Sequence, residues 1–129
     1  MNLQDRQIAV IGLGYVGLPL AIEYGKKYRV IGFDIFKARV EELERGEDHT
    51  LEADLVGMQQ ARDAFRSTGK IGLTFSSNPE DLKQVNTYIV TVPTPIDRFN
   101  NPDLTPLLKA SETIGKTLNR GDIVIYEST

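Results

Sequence analysis

The sequence predicts an α/β fold: a doubly wound parallel sheet of about five strands in the order 3-2-1-4-5. Three observations predict it. Short apolar runs recur at Ile8–Ile11, Arg29–Phe33, Ile71–Phe75, Thr87–Val92 and Ile123–Tyr126, with helical periodicity between most of them. Glycines stand at positions 12, 14 and 17, directly after the first run. An acid, Asp34, closes the second run. Strands that alternate with helices pair in parallel, and right-handed crossovers carry the chain to both sides of the first strand.

Ile8–Ile11 is four consecutive apolar residues, which suits a strand buried on both faces. Val16, Leu20, Ala21 and Tyr24 then fall at helical spacing, with Pro19 in the first turn, where its missing N–H costs nothing. Gly25 and Lys26-Lys27 mark the helix end. A second helix runs from Lys37 to about Arg45 and stops at Gly46, turning Val40 and Leu43 to the sheet and Glu41, Glu42 and Glu44 to water. Thr50 is the expected N-cap of a third helix, with Leu51, Leu55, Met58, Arg62 and Phe65 on one face. His49, the sole histidine, is read as a loop residue rather than a catalyst, and Met58 and Phe65 as core. Asn78 and Pro79 start one or two helical turns that run through Leu82 and Val85.

The fourth strand ends abruptly at Pro93-Thr94-Pro95. Asp97–Asp103 is a polar loop that either covers a ligand or only connects. A helix from Pro106, capped by Thr105, is expected to carry Leu107, Leu108, Ser111, Ile114 and Leu118 on one face. No repeat or linker divides the chain, so residues 1–129 are expected to form one domain.

The glycine spacing carries chemistry. The first glycine permits a tight turn, the second lets a pyrophosphate approach the backbone, and the third lets the helix pack against the strand. N–H groups that open the helix then face the phosphates, helped by the helix dipole. Asp34, about 20 residues beyond the first glycine, is placed to accept from the ribose hydroxyls beside the purine. A carboxylate there repels a 2′-phosphate, which favours NAD over NADP. Ligands in such sheets lie where the strand order reverses, so Gly12–Gly17, Val92–Pro95 and Glu127–Thr129 are expected to border one crevice.

A formal net charge of −3 argues against a nucleic-acid surface, which is usually basic. It does not argue against a phosphate ligand, because backbone amides bind one without Lys or Arg. The absence of cysteine excludes disulfides and thiolate metal sites, and no metal site is expected. No apolar run approaches bilayer length and no apolar leader follows Met1. No membrane partner and a cytoplasmic location are therefore expected.

Val10-Ile11-Gly12-Leu13-Gly14-Tyr15-Val16-Gly17-Leu18-Pro19, with Val92-Pro93-Thr94-Pro95 and Tyr126-Glu127-Ser128-Thr129, resembles the amino-terminal, Rossmann-type domain of the UDP-glucose/GDP-mannose dehydrogenases. The segments 91–97 and 102–113 look most similar to the UDP-N-acetylhexosamine (glucosamine or galactosamine) 6-dehydrogenases of surface polysaccharide and capsule synthesis. The resemblance implies that Gly12, Leu13, Gly14, Tyr15, Val16 and Gly17 hold the NAD pyrophosphate, Tyr15 and Val16 through backbone N–H groups. It implies that Asp34 takes the adenosine ribose and that Arg39 lies near the adenine; read by itself, Arg39 is equally a solvated helix charge. Thr91, Val92, Pro93, Thr94 and Pro95 would line the nicotinamide-ribose side. Ser128 would touch the cofactor, and Thr129 would assist catalysis through a water.

The family oxidises the C6 hydroxyl of a UDP-sugar to the acid with two NAD, through a covalent thiohemiacetal on a cysteine. This chain has no cysteine. It is therefore expected to be the cofactor part of a longer enzyme, homodimeric when full length, that binds NAD and catalyses nothing by itself. Two alternatives stay open: a non-catalytic NAD-sensing regulatory module, and the cofactor domain of another NAD-dependent dehydrogenase.

Overall fold

In a computed structural model describing residues 6–50 and 53–127, five strands form one parallel sheet. They are β1 (Gln7–Ile11), β2 (Arg29–Phe33), β3 (Gly72–Ser76), β4 (Thr87–Val90) and β5 (Ile123–Tyr126). Their order is β3-β2-β1-β4-β5, as the sequence predicts. β1 is central: Val10 lies opposite Gly32 of β2 on one side and Ile89 of β4 on the other. The chain winds outward from β1 to β3, then crosses to β4. This reversal opens a crevice at the carboxyl ends of β1 and β4.

Successive strand residues face opposite sides, so each strand supplies two cores. Ile8 and Val10 pack with Val30, Leu73 and Ile89 under the helices α1 (Gly17–Gly25), α2 (Lys37–Glu44) and α3 (Leu55–Thr68). Ala9 and Ile11 pack with Ile31, Phe33, Tyr88 and Val90 on the other face. That face is covered by a short 3₁₀ helix, Pro79–Gln84, and by α4 (Thr105–Gly115). No helix among the described residues is long and apolar enough to cross a membrane.

Several local expectations are met. Gly46 follows the α2 C-cap with φ +79°, and Asn78 caps the 3₁₀ helix by accepting from Glu80 N–H at 3.1 Å. Met58 is core, whereas Phe65 is half-buried with the Arg29 guanidinium 4.2 Å above its ring.

Other details differ, among them β3, which lies one residue later than read, at Gly72–Ser76. α3 starts at Leu55, and its N-cap is Asp54, which accepts from Gly57 N–H at 3.0 Å. Thr50 is instead bonded through its N–H and hydroxyl to the Asp48 carboxylate, which holds it out of the helix; Leu51 lies outside the described residues. Thr105 is the first residue of α4 rather than its cap, and its N–H donates to Asp103 Oδ1 at 2.9 Å. The inner face of α4 carries Leu107, Ala110 and Ile114, whereas Leu108 and, beyond the helix end, Leu118 are exposed. Just past the end of the helix, Thr117 is buried with its hydroxyl 2.8 Å from that of Tyr88. Finally, β4 stops at Val90; the Thr91 N–H still donates to Ile11 O at 2.8 Å, and its side chain lies against the carbonyls of Ile11 and Gly12.

Candidate functional site

The glycine turn is built around two close approaches. Gly12 adopts φ +97° and donates its N–H to Phe33 O at 2.8 Å, with Val92 backbone atoms 3.0 Å from where a Cβ would stand. A Cβ on Gly17 would overlap the Gly12 carbonyl oxygen and the Thr91 hydroxyl. Gly14 differs from both: nothing lies within 4 Å of its Cβ position. The protein packs against the first and third glycines and leaves the second bare. α1 has no side-chain cap at Val16 and no acid in its first turn. The N–H groups that open it, and those of Tyr15 and Val16 in the loop before it, therefore meet no capping side chain among the described residues. The Tyr15 side chain is exposed.

Asp34 sits at the mouth of the same turn. Its Oδ2 accepts the Leu13 N–H at 3.0 Å and its Oδ1 accepts the Phe36 N–H at 3.0 Å. An ionised carboxylate has about four acceptor sites, so each oxygen keeps capacity for a hydroxyl donor.

Arg39 is not a solvated charge. It is buried, its Nε donates to Leu13 O at 2.8 Å, and its Nη1 meets Asp48 Oδ1 at 2.8 Å and Glu42 Oε1 at 3.2 Å. Nη2 is buried and has no partner among the described residues. Glu42, expected in water, is drawn inward by Arg39 and by His49, whose Nδ1 lies 2.7 Å from Glu42 Oε2. Burial pushes the Asp48 carboxyl up, but hydrogen bonds from the Thr50 hydroxyl, Arg39 and the N–H groups of Thr50 and Ala53 outweigh it and bring the pKa down to about 2. Glu42 titrates below the usual carboxylate range, because hydrogen bonds from His49 and Arg39 outweigh its desolvation.

These elements enclose a cavity of about 450 Å³ at the carboxyl ends of β1, β2 and β4. Gly12, Leu13, Gly14, Asp34 and Arg39 line it from one side, and Val92 and Pro93 from the other. Thr91 is buried behind them, its one hydroxyl proton shared between Gly12 O at 2.7 Å and Ile11 O at 3.0 Å, so it shapes the turn from beneath. Pro95 accepts the Asp103 N–H at 2.7 Å and closes the loop that Ile96 and Pro102 pair across; Thr94 is half-buried at its base. Tyr15, Val16, Gly17, Thr94 and Pro95 border this region without lining the cavity itself. Ser128 and Thr129 lie outside the described residues.

Sequence reasoning missed part of the wall. Ile35 and Phe36 follow Asp34 into it, His49 and Thr50 reach it from the α2–α3 connection, and Lys109 and Ala110 face it from α4. The first two were legible from adjacency to Asp34. The others are brought there only by the crossovers.

A doubly wound sheet with this turn and this acid defines a dinucleotide-binding domain. Residues 6–129 match the UDP-glucose/GDP-mannose dehydrogenase family, NAD binding domain, and the chain belongs to that family. It is 55% identical over 127 residues to UDP-N-acetyl-D-glucosamine 6-dehydrogenase of Pseudomonas aeruginosa, covering 98% of this chain and 28% of that protein. It is 49% identical over 125 residues to Protein CapL of Staphylococcus aureus, covering 97% of this chain and 27% of that one. Among solved structures, UDP-D-ManNAc dehydrogenase of Pyrococcus horikoshii superposes with a TM-score of 0.81 at 35% identity, over 95% of this chain and 28% of that one. The chain thus spans a little over a quarter of the length of the relatives it matches. Membership of this family does not favour the reading as a sensing module.

Proposed function

We propose that this chain is the NAD-holding part of a dehydrogenase that oxidises the C6 hydroxyl of a UDP-N-acetylhexosamine, or of UDP-glucose, to the uronic acid for polysaccharide synthesis. One observation carries the cofactor half of the reading: bare space beside Gly14 faces a cavity that also holds the uncommitted acceptor sites of Asp34. Protein atoms pack around Gly12 and Gly17, whereas Gly14 lines the cavity with open space at its Cβ position, so a side chain there would project into the cavity. The sugar half rests on the relatives named UDP-N-acetyl-D-glucosamine 6-dehydrogenase, at 55% and 53% identity.

In this reading the N–H groups of Tyr15 and Val16 and the first turn of α1 hold the pyrophosphate. Asp34 takes the adenosine ribose hydroxyls, with Ile35, Phe36 and Arg39 forming the wall beside the base. Val92 and Pro93 limit the opposite end, Thr94 and Pro95 shape the loop behind them, and Thr91 holds the Gly12 turn in place. Ser128 would touch the cofactor, and Thr129 would assist through a water. Bound NAD supplies the hydride acceptor. The rest of the sugar site and the cysteine chemistry belong to residues beyond this chain, as does a homodimer contact. A cytoplasmic setting belongs to the same proposal.

Titration of NAD and NADP by calorimetry or nicotinamide fluorescence tests it. The expected result is saturable binding of NAD, tighter than NADP. Preference for NADP, or no binding of either, would overturn the assignment.

A further inference from the structure

The α2–α3 connection folds back against the cavity and carries Asp48, whose side chain is 1% exposed. Its Oδ1 accepts from Arg39 Nη1 at 2.8 Å and from Thr50 N–H at 3.1 Å, and its Oδ2 accepts from Ala53 N–H at 3.1 Å. Backbone donors thus hold the carboxylate in place before it meets the guanidinium. Glu42 meets the same guanidinium nitrogen at 3.2 Å, with His49 against its other oxygen at 2.7 Å. Held from that side, Arg39 turns its Nε to Leu13 O at 2.8 Å, while Asp34 receives Leu13 N–H at 3.0 Å. Arg39 and Asp34 therefore grip opposite ends of one residue in the glycine turn.

An arginine next to the ribose-binding acid is the feature by which such folds accept a 2′-phosphate. Here that arginine is buried between two carboxylates, while Asp34 is joined to it only through the two ends of Leu13. We propose that Asp48 and Glu42 are positioning residues that set cofactor choice: they turn Arg39 onto the Leu13 carbonyl and cancel its charge, so that this end of the cavity takes a ribose with a free 2′-hydroxyl and rejects a 2′-phosphate. The inference rests on the dinucleotide-binding reading given above. It adds that Asp34 is not the sole discriminator, and that part of the selection lies in a segment outside the glycine and acid motif.

The test measures NAD and NADP affinities by calorimetry for the unaltered protein, Asp48→Asn, Glu42→Gln and the double variant, with folding checked by circular dichroism. Unmasking Arg39 in the double variant is expected to raise the NADP:NAD affinity ratio about tenfold at low salt, an effect that shrinks as salt screens the charge. The rise is expected to vanish when Arg39→Ala is added, which a merely structural role for Asp48 would not predict. An unchanged ratio in folded variants, or a rise that persists without Arg39, would overturn the proposal. Should Asp48→Asn fail to fold, Glu42→Gln decides alone, with an expected rise of about threefold. If the unaltered protein binds neither nucleotide, the dinucleotide-binding reading fails first and this inference with it. If it binds NAD and the ratio does not move, the proposal alone fails.

Discussion

Asp34 Oδ2 accepts the Leu13 N–H at 3.0 Å, across the gap between the end of β2 and the turn that follows β1. The acid assigned to the ribose therefore also braces the glycine turn. Under the proposed function, binding and loop geometry share one carboxylate, and a substitution there is expected to move both.

Asp34→Ala is expected to weaken NAD binding at least tenfold, about 1.4 kcal/mol or more, and to lower the melting temperature, since the N–H groups of Leu13 and Phe36 both lose their acceptor. Asp34→Asn keeps one carbonyl acceptor and should be the milder variant in both readouts. Calorimetry and a thermal melt on the same samples check the pairing.

Gly14 and Gly17 are expected to fail in different ways. Gly14→Val meets no protein atom within 4 Å at Cβ, so the fold should survive while NAD affinity falls by roughly 100-fold. Gly17→Ala drives a methyl into the Gly12 carbonyl and should cost about 3 kcal/mol or more in urea denaturation. Retained NAD affinity in Gly14→Val would remove that glycine from the pyrophosphate site.

Asp54, not Thr50, caps α3, so Asp54→Ala should cost about 1 kcal/mol of stability. Thr50→Ala instead removes a hydroxyl donor from Asp48 and should raise the pKa of that acid, read by the carboxyl carbon shift in an NMR titration.

Acid should expose the Asp48 network. Its pKa is about 2 in the folded protein against an ordinary aspartate value near 3.9, so its stabilising contribution is complete above about pH 4 and is lost as pH falls toward 2. Relative to Asp48→Asn, the unaltered protein is expected to be more stable by on the order of 2 kcal/mol at neutral pH, with the difference closing across that acid window. Urea melts at several pH values measure it, and a gap that stays constant to pH 2 would contradict the assignment.

Much of the fold was legible because its signals are local. The β2 and β5 bounds coincide with the expected ones, since short apolar runs between turn residues leave little choice. The glycine turn was legible for the same reason: tight turn, close approach and acid lie within one βαβ unit. Local signals failed where a distant partner intervened. Thr50 looked like a cap, but the buried Asp48 claims it first. The apolar stripe after Pro106 pointed to Leu108 and Leu118, yet both are exposed, and Thr117, beyond the end of α4, is buried against the Tyr88 hydroxyl instead.

By itself, the sequence determined the alternation of strands and helices, hence the sheet order, the crevice and the turn that faces it, because backbone sterics and apolar periodicity act over a few residues. The fate of Arg39 was decided only by tertiary structure. Its charge is written in α2, but whether it meets water or two carboxylates depends on a connection that folds back over the helix and buries Asp48 against it. An ion pair made through space leaves no periodicity to read, and its strength comes from the removal of water that only the assembled fold provides.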